Sequence, residues 1–494
     1  MAYTVAAHGK RISRIVFIGL LLDILSFTII LPLLPRSLEA YKEREGADAS
    51  TLLGTLLAHI AHLRAYVQAH SPSRFLQQGA RADLVLLGGL LGSLYSLLQC
   101  AIAPVIGRAA DRFGRRRTLM YCMAGNIVWT VIWVFAGSFE SFLLARVIAG
   151  LSEGNVQLSN TIIADVTDPA TRSHGMALVG IAFAVGFTLG PSIGAFFARM
   201  PIESTNSRNV FAFAPFAAAA VFSLALLLAE SLYLFVKLPE TMHFRRSLAD
   251  SNETADSGTE DTETADSGTK DTETAEPLAG PTHAVDTQST AENNRTLRRL
   301  NILHFAYLFF FSGMEYTLTF LTHDKFNFSN AQQGALLGFI GVTSTVLQGG
   351  WVRRIKGKSA HGDKGLVARG MACCAIGLAC VAHCAKGVQG AGPAWTLWGG
   401  ALGFAVASAT VVNCLNSMVS LATADLETGR RLGDFRAAGQ IGRALGPVFA
   451  CSVYWLLGPS TCYAVGAAAV AAISVAFVTL VPARPAVSST KKHS

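Results

Sequence analysis

The chain has 494 residues, 51% of them hydrophobic and only 15% charged, with a formal net charge of +8. A soluble protein carries about a quarter charged residues, so this composition excludes an ordinary water-facing globule and points to a surface turned largely to lipid. The basic excess is no nucleic-acid footprint, because it lies beside apolar runs, where lysine and arginine set the orientation of membrane helices.

Apolar runs of the ~20 residues that span a bilayer as a helix recur along the chain. Six lie at about 12–34, 84–106, 118–136, 139–163, 175–198 and 210–235, and six more at about 302–321, 331–352, 365–385, 394–422, 435–457 and 461–481. They predict an all-α integral membrane protein with twelve transmembrane helices in two six-helix halves, 1–239 and 301–494, joined by a linker over 240–300. The first run has no small-residue cleavage site after it and reads as a retained span, not a signal peptide.

That span contains "DILSFTIILPLLP", with Asp23 nine residues before Pro32 and twelve before Pro35. The loop after it includes "LLGTLLAHIAHLRAYVQAH", whose helical periodicity predicts a helix on the membrane surface. Between spans two and three, "GRAADRFGRRR" at 107–117 packs five arginines around Asp111, with Gly107 and Gly114 bracketing Asp111 and Arg112. The loop after span eight is also basic, with Arg353, Arg354, Lys356, Lys358 and Lys364. The short loops of opposite parity are poor in lysine and arginine, which assigns both termini to the cytoplasm. No sorting signal specifies which membrane holds the protein.

In span four, Arg146, Gly150, Glu153 and Gln157 recur at the spacing of one helical face. Span five carries "GFTLGPSIGA". Its Gly186, Gly190 and Gly194 make a smooth face for close helix packing, and Pro191 can loosen the backbone bonds there. Tight packing alone and a mechanistic hinge both fit this run. The linker holds "ETADSGTEDT" at 253–262 and "ETADSGTKDT" at 263–272, with ten acidic residues and one lysine between Asp250 and Glu276. Such a repeat has no apolar face to bury and is expected to be disordered.

The halves echo one another. "SLLQ" at 96–99 matches "TVLQ" at 345–348, and "GFTLGP" at 186–191 matches "GRALGP" at 442–447. Parallel six-helix repeats suggest a transporter that rocks about a central site. A charge at the middle of a membrane helix costs at least about 2.5–3.5 kcal/mol on insertion scales, which singles out Asp23, Arg146, Glu153, Glu315 and Arg443. Gln99, Gln157, Tyr316, Gln348, Asn413 and Asn416 are candidates to line a substrate cavity, with Ser417 and Ser420 on the same face of span ten. For each charge the alternative is a structural ion pair, Arg146 with Glu153 for example, and for the small polar groups it is interhelical packing. The nine cysteines lie in apolar runs at spacings that suit neither zinc nor a disulfide framework. They read as packing residues, as do His304 and His383. No metal site, cofactor or catalytic group is expected, and no phosphate-binding loop or nucleophile–base arrangement is evident.

The loop pattern G-x-x-x-D-R-x-G-R-R-R resembles the hallmark loop of the major facilitator superfamily, and the chain resembles that family over nearly its full length. The resemblance implies that Asp111 meets the start of span eleven, whose free amides attract an anion. It also implies that Arg115 or Arg116 reaches Asp165 at the end of span four, forming with Gly107, Arg112 and Gly114 a latch that holds the halves together in the outward-open state. The first span and the span-five motif resemble drug–proton antiporters of the tetracycline-resistance type. "FFFSGMEYTLTFLTHDKFNFSNAQQG" at 309–334 and "RAAGQIGRALGP" at 436–447 resemble the tetracycline-transporter-like branch of animal facilitators, which implies export of organic anions, some acidic drugs among them. In the family, spans one, four, seven and ten line the cavity, which brings in Asp23, Arg146, Glu153 and Glu315.

The expected function is that of a proton-coupled antiporter, monomeric in the bilayer, exporting small amphiphilic organic anions or drugs by alternating access. Asp23 or Glu315 would carry the proton and Arg443 would pair with the cargo carboxylate. A proton-independent uniporter of a small metabolite, and a transport-dead facilitator that binds a partner through its acidic linker, remain open alternatives. On the transport reading, deleting residues 250–280 leaves uptake into proteoliposomes unchanged. Loss of function on deletion would favour the partner-binding reading.

Overall fold

In lipid every backbone amide must be bonded within its own segment, so long apolar runs fold as helices. The computed structural model describes residues 2–30, 33–70, 80–167, 172–197, 214, 216–242, 282–328, 330–352, 362–386, 394–423 and 427–482. Every regular element among them is helical. The first half comprises α1 (Ala2–Ile29), α2 (Leu34–Glu45), α3 (Leu52–His70), α4 (Ala80–Phe113), α5 (Arg115–Val134), α6 (Phe139–Ser152), α7 (Asn155–Val166), α8 (Arg172–Phe197) and α9 (Ala217–Lys237). The second comprises α10 (Thr282–Phe326), α11 (Asn330–Val346) with a π-helical continuation over Leu347–Val352, α12 (Gly362–Lys386), α13 (Ala394–Ala422), α14 (Thr428–Leu457) and α15 (Pro459–Leu480). Pro32, the acidic decapeptide repeat and the basic residues 353–358 lie outside the described residues.

Eight stretches are long and apolar enough to cross a membrane on their own. The remaining four expected spans correspond to α5, α6 with α7, α10 and α14. The last two carry interior charges, and span four is not the continuous helix expected. It breaks at Glu153 (φ −74°, ψ 89°) and Gly154 (φ −122°, ψ −7°). The chain packs closely there: a Cβ on residue 154 would come within 2.7 Å of the Cys122 sulfur and 3.0 Å of Ile106, so glycine is the residue that fits. The break also ends the single polar face expected for Arg146, Gly150, Glu153 and Gln157. Two further expectations change. The segment expected to be linker up to residue 300 is already helical from Thr282. The first-loop helix α3 is no free surface helix, because it docks on the bundle through buried Leu53, Leu57 and Ile60 and an Arg64–Asp83 bond of 2.7 Å.

Apolar side chains gather into cores that largely follow the two halves, the second also taking in Ala82 at the start of α4. Those of the first half draw on residues such as Leu20, Leu158 and Trp133, and that of the second on Leu378, Val411 and Phe435. Within the first half, α1 is fastened to α9 by paired hydroxyls of Ser26 and Ser223. It is fastened to α8 by Thr28 Oγ1, which donates to the Gly186 carbonyl at 3.0 Å. Gly186 and Gly190 press against Ile24 and Thr28, and Gly194 is buried one turn further along α8. The glycine face therefore packs against span one, with Pro191 inside the helix.

Helix α14 lies between the halves, packed along α4 on one side and α10 on the other. Its close approach to α10 depends on small residues: a Cβ on Gly442 would stand 2.7 Å from the Phe305 carbonyl and 2.9 Å from the Phe309 amide. Gly442→Val should therefore destabilise the fold by about 1–3 kcal/mol, the usual cost of overpacking, and lower the melting temperature in detergent. Gly399→Val, at a position with no neighbour within 4 Å, serves as the unaffected control.

Candidate functional site

Four backbone N–H groups are left free at the start of a helix, and at α5 one carboxylate answers two of them. Glu240, just past α9, accepts from the amides of Arg115 at 2.8 Å and Arg116 at 3.2 Å. Gly114 makes the turn with φ +100°, a conformation that favours glycine, and a Cβ there would meet the Glu240 carboxylate. The Arg115 side chain then runs inward. Its Nε donates to Asp165 Oδ2 at 2.8 Å with both side chains buried, and its Nη1 lies 3.1 Å from Asp111 Oδ1.

Asp111 in turn accepts from the amides of Gly429 at 3.0 Å and Arg430 at 2.7 Å, at the positive end of the α14 dipole. One polar chain thus runs from α7 through α5 and α4 to α14, crossing from the first half to the second. Gly107 allows the crossing, since a Cβ there would press on the Gly429 carbonyl. Arg116 does not reach Asp165; it lies over the Phe235 ring at 5.2 Å. Arg112 is exposed and lies over Phe113. At the other end of α4, the Tyr316 hydroxyl donates to the Val85 carbonyl at 3.1 Å, so the halves touch near both ends of this helix.

The interior charges divide into groups. Asp23, buried in α1, accepts from Asn155 Nδ2 at 2.8 Å beside the start of α7. Glu153, at the break in span four, lies 3.5 Å from Arg436 of α14, and Asp23 acts electrostatically on both. Arg146 does not join them. It is buried with its guanidinium 5.8 Å from the ring centres of both Tyr95 and Phe142, and no carboxylate lies within ion-pair distance of it among the described residues. The suggested Arg146–Glu153 pair is absent because the backbone break turns Glu153 toward the seam.

Glu315 of α10 and Arg443 of α14 form the second group. Both side chains are exposed, and Glu315 feels the charge of Arg443. The two act on one another without forming a direct ion pair. His304 stacks on Phe435 with ring centres 3.9 Å apart and serves packing.

The polar candidates are distributed differently from their sequence pattern. Gln99 Oε1 lies 3.5 Å from Arg436 Nη2. Gln157 Nε2 donates to the Ala103 carbonyl at 3.0 Å, fastening α7 to α4. Gln348, in the π-helical turn, and Asn413 come together beside Gly180 of α8, and Gln348 Oε1 is buried without a partner. Asn416 is half-buried on the same helix as Asn413. Ser417 faces away, donating to Asp363 Oδ2 at 2.7 Å. Tyr316, engaged with Val85, belongs to the seam.

Two charges were missing from the expected set. Arg436 lies more than two turns inside α14 because that helix begins at Thr428, earlier than the apolar run indicates. Glu230 of α9 is 1% exposed and interacts electrostatically with Asp23 and Glu153. The insertion-cost argument that singles out Asp23 applies equally to this lone acid in an apolar run.

Comparison with known proteins agrees with this architecture. Residues 16–447 match the family model described as Major Facilitator Superfamily. The mouse major facilitator superfamily domain-containing protein 10 is 38% identical over 461 residues, covering 93% of this chain and 90% of that protein. The Escherichia coli class E tetracycline resistance protein is 33% identical over 174 residues, 35% of this chain and 39% of its own. Among solved structures, the human organic anion transporter MFSD10 (TETRAN) superposes with a TM-score of 0.74 at 32% identity, covering 95% of this chain and 99% of that one.

The chain belongs to the major facilitator superfamily: it is a multi-pass membrane transporter and not an enzyme. Removing one partner of a buried ion pair costs about 3–5 kcal/mol. Asp165→Ala should therefore lower thermal stability sharply, whereas Arg112→Ala, at an exposed position, should leave the melting curve in place.

Proposed function

We propose that this facilitator is a proton-coupled antiporter that exports small amphiphilic organic anions by alternating access. It acts as a monomer with both termini in the cytoplasm. The observation that carries the reading is Arg443, an exposed guanidinium on the membrane helix α14 that acts electrostatically on the intramembrane acid Glu315. A planar guanidinium can hold a carboxylate through two parallel hydrogen bonds. The description of the human relative as an organic anion transporter supports the same cargo class.

Cargo and Glu315 are two anions that share one arginine. In the loaded carrier the cargo carboxylate pairs with Arg443, and in the returning carrier the acid that holds the proton is neutral. The returning proton rides on Asp23 or Glu315 and leaves on the cytoplasmic side as cargo binds. The Asp111–α14 contacts close the cytoplasmic end and break when the carrier opens inward, which makes the Gly107–Arg116 loop with Asp165 a conformational latch.

Proton movement in proteoliposomes, followed on addition of organic acids one at a time, tests this reading. Wild-type protein should move protons against some acids, Glu315→Gln should abolish that movement, and Arg443→Gln should raise KM for the acid at least ~10-fold, as loss of a charge-assisted pair implies. Uptake of an acid without proton movement would replace antiport with uniport.

A further inference from the structure

On α14 a second arginine precedes Arg443. At 3.6 residues per turn, a separation of seven residues returns to the same face about 10 Å along the axis. Arg436, Gln440 and Arg443 therefore form one stripe. The two arginines are held in different ways. Arg443 interacts with Glu315 of its own half. Arg436 instead reaches across the seam, with Nη2 at 3.5 Å from Glu153 Oε1 and at 3.5 Å from Gln99 Oε1.

Both contacts are longer than the ~2.7–2.9 Å of a tight guanidinium–carboxylate bond. Only one nitrogen of the guanidinium makes them, and its Nε is buried with no acceptor. Arg115–Asp165 shows what a structural pair looks like in this same molecule: 2.8 Å, with both side chains buried. Arg436 and Glu153 each keep more than a tenth of their side-chain surface open, 16% and 13%. A guanidinium carries five N–H donors in a fixed fork, and this one lacks the oxygen atoms to fill it. Glu153, on the irregular backbone between α6 and α7, also interacts with the Tyr95 side chain.

We propose that Arg436, held loosely across the seam by Glu153 and Gln99, is a second anion subsite at which the cargo carboxylate displaces Glu153. Binding there would undo the ionic bond between the halves. This rests on the organic-anion reading and deepens it, because the cargo becomes the agent that frees the seam. The arginine stripe gives a carboxylate two successive holds along α14, one nearer the Asp111 end and one deeper, beside Glu315.

The test is equilibrium binding of 2-naphthoate to the purified full-length protein in detergent, with neutral 2-naphthamide as the control and a melting curve for each variant. Removing an internal competitor raises the fraction of competent sites, so Glu153→Gln should bind naphthoate about 10-fold more tightly. Arg436→Gln should weaken binding by a similar factor, with Arg436→Lys intermediate because it restores the charge without the fork. Glu153→Gln that folds normally and binds no more tightly would overturn the proposal and leave Glu153–Arg436 a strut. Binding lost in Arg443→Gln but unchanged in Arg436→Gln would overturn it while sparing the organic-anion reading. Wild-type protein that does not prefer naphthoate to naphthamide would overturn both.

Discussion

A hydrocarbon slab offers no water to an ionised side chain, and the organisation of this molecule follows from where each interior charge finds its counterpart. Arg115 finds Asp165 within the first half at 2.8 Å. Asp111 finds two amides at the start of α14, in the second half. Arg146 finds the faces of two aromatic rings, a weaker cation–π hold. Arg436 finds Glu153 only loosely. The tight ion pair lies inside one half, whereas the long one crosses the seam. That distribution suits a two-body motion, because a body must stay rigid while its interface is remade.

Helix α14 concentrates the contacts on which such a motion would act. Its first residues receive Asp111, its middle carries Arg436 and Arg443, and glycines allow α10 to approach almost to backbone contact. It belongs to the second half through α10 and touches the first through α4. A further bond, from Ser93 Oγ to the Ala444 carbonyl at 3.0 Å, keeps α4 against it deeper in the bundle. Small residues permit this close packing.

The break in span four has a similar double effect. It ends the helical ladder at Glu153 and starts a new one at Asn155, so a carboxylate and a fresh helix N-terminus share one level of the bundle. Asp23 lies against that N-terminus through Asn155. Irregular backbone at such depth is tolerated only where protein or a cavity surrounds it, and here it brings Asp23 and Glu153 near Arg436.

Hydrophobic length, basic loops and intramembrane charge are local properties, and the sequence by itself determined them: the spans, the family-type loop at Gly107–Arg117, and the charged residues Asp23, Glu153, Glu315 and Arg443 within spans. The Asp111 and Arg115 contacts could be anticipated only because the loop pattern carried its partners with it. Only the tertiary structure decided which charges meet. Arg146 turned to Tyr95 and Phe142, Ser417 to Asp363, Tyr316 to Val85, and Arg436 emerged as the partner of Glu153. Pairing depends on how each helix is rotated, where it breaks and how closely small residues let it approach its neighbour. Those quantities are fixed jointly by residues far apart in the chain, such as Gly154 against Cys122 and Ile106, and no single span encodes them.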